Sequence, residues 1–182
     1  SLNLTQELEM VQRAFVKKMN GMSSLSYWEQ LQKLGLYSQE RRRDRYMAIY
    51  IWRILELQVP DFTQQNQITE NCSPIKSRNG RLCRIPHVKS TATCKVKTLL
   101  HASLAINGCQ IFNSLPKYIR NLTGCTTEQF KKHLDEVLEK IPDEPKIPGY
   151  VAESNRILDY DKLMENTAQQ KSLCLSGHPS ED

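Results

Sequence analysis

Apolar residues recur at helical spacing through the first third of the chain. Leu4, Leu8, Val11, Phe15 and Met19 share one face of a helix that Asn3 and Gln6 can open as a capping box and Gly21 can end. Ser26 and Glu29 form a second box, Leu31 and Leu34 continue one face, and Gly35 is a natural left-handed stop. Ser38 can cap a third helix, with Glu40 in its first turn; it is expected to run to about Gln58, and Pro60 closes it.

The pattern then fades. Residues 59–92 are polar, carry three prolines and an "RNG" turn, and read as a long loop or a partly disordered segment. Within and after them, "RLCRI" and "TCKVKTLL" alternate partly and are expected to pair as a short antiparallel ribbon. Helical spacing returns in "HASLAINGCQIFNS" despite Gly108, and a short helical turn should follow Pro116. Thr126 and Gln129 then open a strong helix carrying Phe130, Leu134, Val137, Leu138 and Ile141. "PDEPKIPGY" ends it, and the remainder is weakly helical, with a disordered end. The expected fold is mainly α. A three-helix unit spans 1–58, a basic loop or ribbon 59–98, a C-terminal helical unit 99–141, and a Pro-containing extension and tail 142–182.

The third helix raises a choice. At 100° per residue, Arg41, Arg45, Ala48 and Trp52 form one stripe, and Tyr46, Ile49, Tyr50, Ile54 and Leu57 form a broader apolar one. If the first stripe faces solvent, Trp52 can stack on a base while the guanidiniums take phosphates. If it faces inward, Trp52 widens the buried face, and Arg41 and Arg43 pair with Glu40 and Asp44. Arginine at a helix N-terminus opposes the dipole, so the cluster calls for a reason.

Charge sharpens the picture. The chain of 182 residues carries a net charge of +5, unevenly spread. From Asn71 to Thr127 there is no Asp or Glu against nine Lys and Arg, whereas from Glu128 onward twelve acids face seven bases. Such a stretch suits a polyanion, or neutralises the acidic tail of its own chain. The opening "SLNLTQELEM" has neither the basic nor the apolar region of a signal peptide, so the chain is expected to begin inside a longer protein. The six cysteines form no CxxC pair and are expected to be reduced thiols, which makes the sequons at Asn3 and Asn121 formal only. No segment reaches the length of a membrane span.

Catalytic patterns are missing. There is no Gly-rich phosphate loop, no HExxH and no GxSxG. Asp159 and Asp161 are the one close aspartate pair, without an apolar strand to hold a metal between them. Cys72, Cys83, His87 and Cys94 have spacings unlike a zinc site.

Three blocks, in order, resemble the region after the polymerase core in LINE-type non-LTR retrotransposon reverse transcriptases, especially jockey-like ones. The first holds Glu9, Val11, Gln12 and Phe15, then Tyr27, Leu31, Leu34, Leu36, Ser38, Glu40, Arg41 and Arg42. The second holds Phe112, where relatives commonly have Trp, then Asn113, Leu115, Pro116, Ile119 and Arg120, followed by Phe130, Lys131, Leu134 and Asp135. The third is "IPDEPKIPGYVAESNRILDY", with Arg156 after Asn155 where many relatives have Ser.

The resemblance implies a parent RNA-directed DNA polymerase using Mg, usually behind an endonuclease domain, acting in nucleus and cytoplasm. Its paired catalytic aspartates lie upstream, and no residue here matches them. The chain is therefore expected to be no enzyme on its own and to bring no cofactor. It would be a thumb-like C-terminal part that supports the upstream domains by binding RNA or DNA backbone non-specifically. The expected contacts are Arg41, Arg45, Trp52, Arg78, Arg81, Arg84, Lys95 and Lys97; Gln12, Phe15, Arg42, Phe112, Asn113, Leu115 and Pro116 are family positions. The rival expectation is a protein-interaction or scaffold module, or a domesticated or relic product without nucleic-acid binding.

Overall fold

The computed structural model describes residues 2–61, 68–69, 80–141 and 143. Among them are seven α-helices, one π-helical turn and no strand. The helices are α1 (Leu2–Lys17), α2 (Tyr27–Leu34), α3 (Gln39–Leu55), α4 (Cys94–His101), α5 (Cys109–Ser114), α6 (Lys117–Arg120) and α7 (Thr127–Leu138); the π turn, Leu104–Gly108, leads directly into α5.

Local chemistry sets most boundaries. The Ser26 hydroxyl accepts from Glu29 N–H while the Glu29 carboxylate accepts from Ser26 N–H, so two orphan donors at the start of α2 are satisfied together. Gly35 ends α2 at φ 63°, a conformation that glycine adopts without steric penalty. Thr126 and Gln129 make the same reciprocal box at the head of α7. α1 begins at Leu2, so Asn3 lies inside the helix rather than before it. α3 stops at Leu55 because Leu57 turns left-handed, at φ 56°.

One core joins α3 to α5, α6 and α7. Ala48, Ile51 and Trp52 of α3 meet Ile111 and Phe112 of α5, Ile119 of α6, and Phe130, Leu134 and Leu138 of α7. The Trp52 and Phe130 rings stack with centroids 4.4 Å apart and planes 9° from parallel. Gly108 brings the π turn against α3: a Cβ there would meet Ile51 Cγ1 at 3.1 Å and Leu104 Cδ1 at 2.9 Å.

α1 and α2 pack beside the start of α3, and α1 does so with its polar side. The Glu9 carboxylate accepts from Tyr27 O–H at 2.6 Å and from Gln39 N–H at 2.7 Å, and Gln12 donates to the Tyr37 carbonyl at 3.0 Å. Among the described side chains of α1, only Val16 adds a deeply buried apolar group. Leu4, Leu8, Val11 and Phe15 face outward, Phe15 with 69% of its surface exposed.

Two expectations are corrected. The short ribbon is absent among the described residues: "TCKVKTLL" is helix α4, capped by the Thr93 hydroxyl, and residues 81–90 are irregular. A run of eight residues with partial alternation fits either period, and the Thr93 cap decides for helix. The single helix expected across His101–Ser114 is broken, because Ser103 returns the backbone to an extended conformation (ψ 156°) before the π turn. The weakly helical and disordered tail expected after residue 143, including Asp159 and Asp161, lies outside the described residues.

Phe130→Ala should destabilise the fold by about 3–5 kcal/mol, read by urea denaturation, because it removes half of the central stack. Leu57→Gly should stabilise it by about 0.5–1 kcal/mol in the same assay, since it relieves a left-handed leucine whose side chain is 91% exposed.

Candidate nucleic-acid interface

The expected contact residues separate into an inner and an outer set. Arg41 is 2% exposed. Its Nη1 donates to the carbonyls of Leu138 at 3.3 Å and Ile141 at 3.5 Å, at the end of α7, where helix carbonyls lack internal partners. Asp143 supplies the counter-charge, with Oδ1 3.9 Å from Arg41 Nε. The same carboxylate accepts from Ser38 N–H at 2.7 Å and Ser38 O–H at 2.6 Å, while Ser38 Oγ accepts from Arg41 N–H. Burial pulls the Arg41 guanidinium down from its ordinary value, and the charges of Asp143 and Asp44 oppose that pull.

Trp52 is wholly buried against Phe130, and its Nε1 donates to the Leu122 carbonyl at 2.7 Å. Arg45 makes a two-pronged bond to Asp135, at 2.6 and 2.7 Å, which raises it above the ordinary arginine value. Arg81 donates to Glu56 at 2.6 Å and to the Leu55 carbonyl at 2.9 Å, tying the basic segment to the end of α3. Arg41 and Trp52 are thus corrected from surface contacts to core residues. Arg45 and Arg81 have guanidiniums committed to carboxylates of the same chain. Arg78 lies outside the described residues.

Arg84 and Lys95 are exposed, as expected of backbone contacts. Lys97 lines a depression of about 490 Å³ together with His87 and His101, with no carboxylate among the described residues of its wall.

Among the family positions, Gln12 bridges α1 to Tyr37 and Gln39. Asn113 clamps Cys83 by both backbone groups, accepting its N–H at 2.7 Å and donating to its carbonyl at 2.9 Å. Phe112 and Leu115 are core, Pro116 precedes α6, and Phe15 is exposed. Cys83 also meets Cys109, and the hydrogen bond between the thiols holds Cys109 below the usual thiol range against the effect of burial. Among the described residues no three His, Cys, Asp or Glu are grouped to hold a metal, and no helix is long and apolar enough to cross a membrane.

The outward face of α3 carries a feature that the sequence argument missed. A groove of about 640 Å³ runs along it, lined by Arg42, Arg43 and Arg53, by Tyr46 and Tyr50, and by Lys131 at the near end of α7. Among the described residues no carboxylate lines it. Lys131 is held at 2.7 Å by Glu128, and Arg42 reaches the Tyr37 carbonyl only at 3.5 Å. Arg53 Nε is buried with no hydrogen-bond partner among the described residues. Tyr46 is 59% exposed, and the Arg45 guanidinium lies 5.9 Å from its ring centroid. The signal was available in outline: Arg42, Tyr46, Tyr50 and Arg53 fall within one side of the same helical projection that grouped Arg41 with Trp52.

Arg41→Ala should destabilise the fold by about 3–5 kcal/mol in urea denaturation, since it strips Asp143 of its buried partner, and Arg41→Met should cost less. Glu9 supplies a pH signature. Burial raises its carboxyl above the ordinary 4.5, outweighing the hydrogen bonds from Tyr27 and Gln39. The folded chain then holds that proton more tightly than the unfolded one. Its stabilising contribution is full at low pH and declines as pH rises through the raised value. Across about pH 4–7, the thermal midpoint of the parent should fall relative to that of Glu9→Gln.

Comparison with family models, with curated proteins and with solved structures finds no match to this chain.

Proposed function

We propose that this chain is the non-catalytic, thumb-like C-terminal part of a retrotransposon reverse transcriptase, and that it supports the polymerase by gripping RNA or DNA through the backbone. The three ordered sequence blocks support the parentage. The observation that carries the binding is a set of outer cations: Arg84 and Lys95 exposed, Lys97 in a depression with His87 and His101, and a second cationic groove along α3. Phosphate contacts of this kind carry affinity rather than sequence information. In this reading, Mg and the catalytic aspartates belong to the upstream polymerase, which with its endonuclease domain is the chain's partner.

A second reading is a protein-interaction module. It is favoured by the outward apolar stripe of α1, Leu4, Leu8, Val11 and Phe15. Such a stripe needs a cover of its own kind, not a polyanion.

Salt separates the two. The purified chain should bind a labelled mixed-sequence primer–template at about 50 mM salt. Affinity should fall on a log–log line with a slope near −0.9 per phosphate contact on duplex. Each of Arg84→Ala, Lys95→Ala and Lys97→Ala should flatten the slope by about one. Absence of binding at low salt rejects the nucleic-acid reading, and loss of a protein partner on Leu8→Ser with Phe15→Ser would then support the second.

A further inference from the structure

We propose that the groove on the outer face of α3 is a site for single-stranded nucleic acid, with Tyr46 stacking a base while Arg43 and Arg53 hold the flanking phosphates. The proposal rests on the nucleic-acid reading above and narrows it to one groove and one strand state.

The chemistry of the groove selects the ligand. Three guanidiniums and an ammonium line it with no carboxylate among the described residues of its wall, so it favours a polyanion. Glu128 answers the Lys131 charge. Arg53 buries its Nε without an acceptor among the described residues, an unusual state for a buried donor, and its side chain lines the groove where a phosphate would lie.

Charge alone would accept duplex, single strand or polyphosphate equally. The aromatic ring distinguishes them. Tyr46 stands 59% exposed among Arg42, Arg43 and Arg53, in a groove that Met47, Ile49 and Leu104 also line. The Arg45 guanidinium stands 5.9 Å from its centroid and is itself pinned by Asp135. A ring supported in this way gives a firm surface for a base to stack on. A duplex keeps its base faces stacked inside the helix and offers a protein surface only edges and phosphates. A single strand offers both phosphates and free ring faces, which matches a positively charged groove bearing an aromatic platform. Tyr50, half-buried between Tyr46 and Arg53 along the helix, forms the apolar floor under the sugar and base.

The test uses the full chain and three probes: a labelled twelve-nucleotide oligothymidylate, a twelve-base-pair duplex and linear polyphosphate. Tyr46→Ala should weaken oligothymidylate binding roughly tenfold while leaving duplex and polyphosphate affinities unchanged, and Tyr46→Phe should bind like the parent. Arg43→Ala, at an exposed position, should weaken oligothymidylate and polyphosphate and spare the duplex, which uses Arg84 and Lys95. If Tyr46→Ala and Arg43→Ala both bind oligothymidylate like the parent, the groove is not the site, although the wider reading stands on the retained binding. If Tyr46→Ala weakens all three probes alike, the ring does not recognise bases and the proposal fails. If the parent binds none of the probes at low salt, both readings fall together.

Discussion

The rotational setting of α3 is the constraint on which the rest of the molecule depends, and one buried guanidinium holds it. Arg41 cannot reach the carbonyls of Leu138 and Ile141 unless the stripe running through Ala48 to Trp52 faces inward. Ser38 and Asp143 lock the same corner, because a single carboxylate both caps the α3 N-terminus and faces the arginine. With that side inward, Trp52 lands on Phe130, and the opposite side, with Arg42, Tyr46 and Arg53, is left to solvent. Core and groove are two consequences of one helix phase.

The basic character of the chain is divided by the same principle. Arg41, Arg45 and Arg81 each answer an acid far away in sequence: Asp143, Asp135 and Glu56. The Arg41 and Arg45 pairs reinforce the contact between α3 and α7 that the core already makes, and the Arg81 pair ties the basic stretch to the end of α3. A buried charge that loses its partner is strongly destabilising, so each pair specifies an arrangement more than it adds net stability. Arg43, Arg84 and Lys95 stand exposed at the surface, the last two within the stretch 71–127 where the sequence supplies no acid.

Capping chemistry made the helix starts legible. Ser26 with Glu29, Ser38, and Thr126 with Gln129 all do what their spacing implies, and Gly35 ends α2 in the left-handed conformation. The phase of α3 was not legible, because Ala48 and Trp52 share a stripe with Arg41 and Arg45 while tyrosines and aliphatics fill the other, so either could face inward. What breaks the tie is Asp143, on the far side of the chain, and no local pattern encodes that contact. The break at Ser103 was hidden for a similar reason: Gly108 reads as a tolerated helix glycine until Ile51 is found against it. In the expected contact set, the exposure of Arg84 and Lys95 was legible because their stretch supplies no acid to draw them inward. Trp52, placed on a wet stripe by periodicity, was claimed by the core.

Arg45 sits at the seam between the two worlds of α3. Its guanidinium is held by both oxygens of Asp135, whose Oδ1 also accepts from Tyr37 O–H at 3.2 Å, and it lies near the ring of Tyr46. A side chain held so firmly loses little freedom when a ligand arrives, and the ring beside it shares that advantage. The interior network that sets the helix therefore also prepares its outer face. In the proposed site, Arg45 would shape the receiving surface from behind the ring of Tyr46.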